Sequence, residues 1–249
     1  MSGHSKWSTI KRKKAVADAH RGKIFTKLIR EIIASARDGG GDLDANTRLR
    51  TAVAAARSAN MPSANIEKAI KRGTGEIEGI TYEEICFEGY GPGGVAVFID
   101  VLTDNRNRTV SEIRNLLGKH NGSLGENGCV SWIFELKGVI VIPVGSRTEE
   151  EVMELVVEVG GEDFSREGSF YNITTSPSEL NAVRDALEAR GVKIESSEHF
   201  RVPQNTVRLE RKEAQQMLKL MEALEDQDDV QRVSANFDIP DELIPLHGN

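Results

Sequence analysis

Residues 19–37 read AHRGKIFTKLIREIIASAR, and this run decides how the chain begins. Phe25, Leu28, Ile29, Ile32 and Ile33 recur with a 3.6-residue period and share one face, while Lys23, Lys27, Arg30 and Arg37 share another. At 1.5 Å per residue such a helix is roughly 28 Å long. Gly39-Gly40-Gly41 stops it. Working outward, a second helix is predicted from Asp44, a good N-cap, to Asn60, with Leu49, Val53 and Ala56 inward and Arg50 and Arg57 on an adjacent face. A third carries Pro62 in its first turn, buries Ile66 and Ile70, turns Lys68, Lys71 and Arg72 outward, and closes at Gly73. The pattern predicts a small, alanine-rich helical domain over residues 1–79.

Charge is distributed unevenly. Residues 1–75 hold 16 Lys/Arg against 6 Asp/Glu, a net +10, whereas the whole chain is −7, so the remainder is −17. The helical faces lack acidic partners at i,i+4, so their cations are expected to be uncompensated and to favour a polyanion. The candidate nucleic-acid contacts are Lys6, Trp7, Lys11, Arg12, Lys13 and Lys14 ahead of the first helix, then Arg21, Lys23, Lys27, Arg30, Arg37, Lys68, Lys71 and Arg72. The Lys-rich start suits ordering along a phosphate backbone. Trp7 suits either stacking on a base or anchoring by packing.

After residue 79 the composition changes. Tyr82–Phe87 and Val95–Leu102 read as strands joined by Glu88-Gly89-Tyr90-Gly91-Pro92-Gly93-Gly94. No Gly-Lys-Ser/Thr comes after it, so this is not a Walker loop; it reads as a structural turn, with a backbone anion nest as the alternative. Thr109 and Glu112 suggest a capping box for a helix running to Lys119. Arg106 and Arg108 then fall just before a helix N-terminus, where anions are favoured; alternatively Asp104 pairs with one of them and shapes the loop. Cys129–Glu135 reads as a strand.

Residues 138–200 show the order βαββαβ, the ferredoxin-like pattern. Beyond them lie a helix at Lys212–Leu224 and a strand at Val230–Phe237, too little to bury a core alone. The fold class expected is therefore multidomain, α and α+β: an N-terminal helical domain followed by two α/β domains, at least one ferredoxin-like and the last inserted into the middle one. The expected boundaries are 1–79, 80–136 plus 205–249, and 137–204. The acidic cluster Glu222, Glu225, Asp226, Asp228 and Asp229 lacks EF-hand spacing and reads as solvated surface.

No apolar run approaches the ~20 residues of a membrane span, and the N-terminus lacks the apolar core of a secretory signal. The reading is a cytoplasmic protein with no membrane partner. Cys86 and Cys129 lie in apolar strands and are expected to be buried thiols, too few for a zinc site. No nucleophile–base pair, metal-spaced ligand set or cofactor fingerprint stands out, so neither catalytic residues, cofactors nor a small-molecule substrate are expected.

The chain resembles the YebC/PmpR family. Gly3-His4-Ser5-Lys6-Trp7, Arg21-Gly22-Lys23-Ile24-Phe25-Thr26-Lys27, Ala59-Asn60-Met61-Pro62, Ile70-Lys71-Arg72-Gly73, Glu88–Gly94 and Leu102–Arg108 carry the resemblance, with Val230–Ile239 similar to its C-terminal signature. The resemblance implies a three-domain cytoplasmic protein that acts as a DNA-binding transcriptional regulator. It also implies an alternative, a ribosome- or RNA-associated translation factor, since mitochondrial relatives activate translation and bacterial relatives are linked to the ribosome and proline-rich stalls. The partner expected is thus nucleic acid: DNA, or alternatively ribosomal RNA with the ribosome.

Overall fold

The first helix, α1 (Asp18–Gly39), places its apolar stripe against α2 (Thr47–Ser58) and α3 (Ser63–Gly73). The computed structural model describes residues 18–145 and 147–240, with side chains on α1 from Gly22 onward. Lys6, Trp7, Lys11, Arg12, Lys13, Lys14 and the side chain of Arg21 lie outside the described residues. Ile32, Ile33, Ala36, Leu49, Val53, Ala56, Ile66 and Ala69 form one buried cluster, as the periodicity requires.

The cap of α2 is Asn46, not the expected Asp44. Its Oδ1 accepts the Leu49 N–H at 3.0 Å, and its Nδ2 donates to the Ser35 and Gly40 carbonyls at 2.8 Å each. A carboxylate has no donor for those carbonyls, so only the amide can begin α2 and close α1 together. At the far end, α3 meets α1 with no room between them. A Cβ on Gly73 would stand 2.6 Å from the Ile33 carbonyl oxygen and from the Ala36 Cβ.

The described residues group into two units, one of residues 18–130 with 209–233, the other of 131–208 with 234–240. In the first, β1 (Glu83–Tyr90) and β2 (Ala96–Thr103) form an antiparallel hairpin, with Glu83 opposite Thr103 and Tyr90 opposite Ala96. Gly93 and Gly94 turn it at φ +70° and +75°, backbone that glycine alone adopts readily. The sheet order is β3-β1-β2-β9, with β3 at Ser123–Leu124 and β9 at Val230–Ala235. The C-terminal segment thus supplies the strand beside β2, and its helix, α7 (Arg211–Glu225), packs on α4 (Arg106–Lys119). Tyr82 and Leu102 belong to the apolar cluster of the three helices, so helices and sheet are one body at that end.

Two local expectations change. Helix α4 starts at Arg106, capped by Asn105, whose Oδ1 accepts the Arg108 N–H at 3.1 Å. Thr109 is a buried residue of that helix and not its cap, because its hydroxyl points to Asp229. Arg106 and Arg108 therefore lie in the first turn, not before it. Residues 129–133 are not a strand. The Glu88 carboxylate, itself buried, accepts the N–H groups of Gly128 and Val130 at 2.7 Å and holds the segment as a loop. Ser131–Ile133 is a 3-10 turn, and β4 begins at Phe134.

In the second unit, β4 (Phe134–Pro143), α5 (Glu149–Glu158), β5 (Asp163–Glu167), β6 (Phe170–Thr175), α6 (Leu180–Ala189) and β7 (Ser196–Pro203) follow the ferredoxin-like order. The sheet order β5-β6-β4-β7, antiparallel throughout, is that of the expected fold. Ile140, Ile142, Val152, Val156, Tyr171, Ile173, Leu180, Val183 and Leu187 fill its core. The expected strand Val230–Phe237 ends early: Phe237–Asp238 (β10) pairs instead in parallel with Val207–Arg208 (β8) in this unit. Cys86 and Cys129 are not joined in a disulfide, and Cys86 is exposed because the alternation of β1 buries Phe87 in its place.

Gly73→Ala should destabilise the protein by about 1–3 kcal/mol, the usual cost of overpacking a close contact. A urea midpoint equal to that of the wild type would show that α1 and α3 yield where they meet.

Candidate nucleic-acid interface

The described cations of α1 are engaged by other parts of the protein. Lys27 donates to the Glu225 carbonyl at 2.5 Å, and Lys23 donates to the Asp226 carbonyl at 3.3 Å with the Asp226 Oδ1 at 3.4 Å. Arg30 donates to the Asp228 carbonyl at 2.7 Å and to Asp229 Oδ1 at 2.6 Å, and its guanidinium lies 5.3 Å from the centre of the Tyr82 ring. Three basic residues one turn apart thereby hold the C-terminal end of α7 and the turn into β9, where helix carbonyls carry partial negative charge.

Asp229 is the centre of this arrangement. Its side chain is 2% exposed. Oδ1 takes Arg30, while Oδ2 takes Arg108 at 2.7 Å and the Thr109 hydroxyl at 2.6 Å. Burial alone would raise the carboxyl's pKa; the hydrogen bonds from Thr109, Arg108 and Arg30 outweigh it and hold the group down at about 2, from the ordinary 3.8. Arg108 also meets Asp104 at 2.8 Å, the alternative raised from the sequence, and these bonds, Asp229's first, push its own pKa up. Asp229 is therefore not solvated acidic surface, a correction to the reading of that cluster: its two oxygens already have partners inside the fold.

The expectation of uncompensated cations fails for most of the described candidates. Arg37 donates to the Tyr82 carbonyl at 2.5 Å and pairs with Asp38, and Arg106 reaches Glu83 at 3.5 Å. Arg48 bridges Glu31, Asp38 and Glu84. The reason is tertiary. Helical spacing tests only partners three or four residues away on the same helix, whereas Asp226 and Asp229 arrive from the turn into β9, Glu83 and Glu84 from β1, and Glu31 and Asp38 of α1 reach across to Arg48 of α2.

What remains is a smaller set. Lys68 and Lys71 are exposed, and Arg72 is half-buried, one turn apart on α3; none forms an ion pair among the described residues. The Nε of Arg72 is buried without a hydrogen-bond partner, its stem lying against Gly79. Exposed Arg57 and half-buried Arg50 on α2 are likewise without an ion pair among the described residues. These two were visible in the sequence: they stand seven apart on one face, with no acid three or four residues away. Asp229 was not, since nothing in its neighbourhood announces a partner 199 residues distant. Among the described residues no group of three or more His, Cys, Asp or Glu is placed to hold a metal ion. No helix there is long and apolar enough to cross a membrane.

The same organisation recurs in known proteins. Residues 5–76 match the TACO1/YebC protein N-terminal domain, and residues 82–237 match the TACO1/YebC second and third domain. The chain belongs to the TACO1/YebC family. A probable transcriptional regulatory protein of Syntrophus aciditrophicus is 58% identical over 245 residues, covering 98% of each chain. One from Desulforapulum autotrophicum is 55% identical over 243 residues, again 98% of each. The crystal structure of a conserved hypothetical protein from Aquifex aeolicus is 51% identical with a TM-score of 0.84, over 90% of this chain and 93% of that one. The TACO1/YebC family thus includes proteins named as probable transcriptional regulators, and the match to it runs through all of its N-terminal, second and third domains.

Because the Asp229 pKa is lowered by folding, its contribution is present above pH ~4 and lost as pH falls through about 2. Wild type minus Asp229→Asn, compared by urea unfolding at successive pH values, should shrink by about 2 kcal/mol across that window. A difference that stays constant with pH would mean that the carboxylate is not held by its hydrogen-bond partners.

Proposed function

We propose that this protein is a cytoplasmic nucleic-acid-binding regulator, acting on DNA as a transcriptional regulator, without catalysis and without a cofactor. The observation that carries this reading is the set of unpaired cations on α2 and α3: Arg57, Lys68 and Lys71 are exposed in a module whose other described arginines are mostly neutralised internally. Lys and Arg at one-turn spacing match successive phosphates, and exposed charges without carboxylate partners gain most from counterion release. Lys6, Lys11, Arg12, Lys13 and Lys14, with Trp7 and Arg21, extend the proposed footprint from the N-terminal side of the chain. The names of the relatives support regulation of transcription as its setting.

A second reading, an RNA- or ribosome-associated translation factor, is favoured by the chemistry of the same residues. Lysines and arginines read phosphate and shape, which position a protein on any polynucleotide without specifying bases.

Glutamine at both Lys68 and Lys71 should lower the salt slope of duplex binding by about 0.9 for each phosphate no longer neutralised, and weaken binding to all sequences alike. A slope equal to that of the wild type would remove α3 from the interface. Competition between duplex DNA and structured RNA at matched ionic strength decides between the two readings. Preference for a promoter sequence of less than about tenfold, near 1.4 kcal/mol, speaks against sequence-specific control.

A further inference from the structure

We infer that the basic face of α1 is a second, latent anion-binding surface, closed in the free protein by the end of α7 and the turn into β9, which nucleic acid displaces from Lys23 and Lys27. This rests on the reading of the protein as a nucleic-acid binder and adds to it a surface that opens.

The geometry gives the closure an order. At its inner end Arg30, 13% exposed, is fixed on Asp229, 2% exposed, with further bonds to the Leu102 and Asp228 carbonyls. At its outer end Lys23 and Asp226 are 44% and 46% exposed and 3.4 Å apart. Lys27 lies between them on the Glu225 carbonyl. The contact is thus tight at Arg30 and loose at Lys23, so it opens from the Lys23 side while Arg30 stays in place and the fold is kept.

The chemistry favours exchange at the loose end. Lys23 and Lys27 each donate to a main-chain carbonyl, a neutral acceptor with only the fractional charge of a helix terminus. A phosphate oxygen is a fully anionic acceptor, so a lysine makes a charge–charge contact there in place of the charge–dipole contact it makes with a carbonyl. The exposed Lys23–Asp226 pair is weak in water and screened by salt, so it offers little resistance. Spaced at i and i+4, the two lysines stand about 6 Å apart along the helix axis, close to the separation of neighbouring phosphates on one strand.

Hydrogen exchange read by mass spectrometry on the full chain, with and without a saturating short DNA duplex, tests this. The amides of Asp226, Gln227, Asp229 and Val230 are held by bonds within this turn. On binding they should exchange about tenfold faster, the change expected from removing one charge-assisted hydrogen bond to the turn, while amides of α1 do not. Glutamine at both Lys23 and Lys27 should abolish the acceleration and lower the salt slope by up to about 1.8. Asp226→Asn, confined to the exposed pair, should speed exchange of the turn before any duplex is added. Binding with unchanged or slower exchange in the turn overturns the latent surface and leaves the proposed function standing. Absence of salt-dependent binding to the duplex overturns that function and this inference together.

Discussion

The Asp229 carboxylate is the constraint on which the rest of the first unit depends. Its two oxygens receive an arginine from α1, an arginine from the first turn of α4 and the hydroxyl of Thr109. These groups come from distant parts of the chain, so one buried anion fixes the helical module, the hairpin and the C-terminal strand relative to one another. Removing a charged member of such a group leaves the others buried and unmatched, which costs far more than an exposed pair contributes. Leu102 adds an apolar counterpart: it is buried in the helical cluster while its carbonyl accepts from Arg30 and its N–H donates to the Asp229 carbonyl at 2.9 Å.

This arrangement separates two kinds of basic residue that look alike in a sequence. Lys23, Lys27, Arg30, Arg37, Arg106 and Arg108 hold the protein's own carbonyls and carboxylates. Arg57, Lys68 and Lys71 have no such partners among the described residues. A net charge of +10 over residues 1–75 is therefore a poor guide to the field presented outward, because part of it is matched by carboxylates from outside that span. Within residues 22–75 the cations without an ion pair among the described residues are Arg50 and Arg57 on α2 and Lys68, Lys71 and Arg72 on α3.

Glu88 plays for the loop at residues 125–130 a part like that of Asp229. Two N–H groups from Gly128 and Val130 converge on one buried carboxylate. The same carboxylate, with burial, pushes the pKa of the nearby Cys129 thiol up, burial being the larger cause. The Gly-rich stretch after Glu88 is a turn, and its glycines answer to packing: a Cβ on Gly91 would stand 2.8 Å from the Met217 sulfur.

The sequence by itself determined the helices, the ferredoxin-like order and the return of the C-terminal segment to the middle sheet. Each arises from a local period or from the need of a short segment to bury an apolar face. Arg50 and Arg57 have no acid three or four residues away on α2, a local fact that nothing in the described fold reverses, and Lys68 and Lys71 remain without an ion pair among the described residues although Glu67 stands four residues before Lys71. Tertiary structure alone decided the rest. Asn46 rather than Asp44 caps α2, since the cap must also donate to carbonyls of α1. Asn105 rather than Thr109 caps α4, since Thr109 is claimed by a carboxylate 120 residues away. Arg30 is an internal strut and Asp229 is not surface, because a charge is satisfied by whatever the fold brings within hydrogen-bonding distance, and that distance bears no relation to separation along the chain.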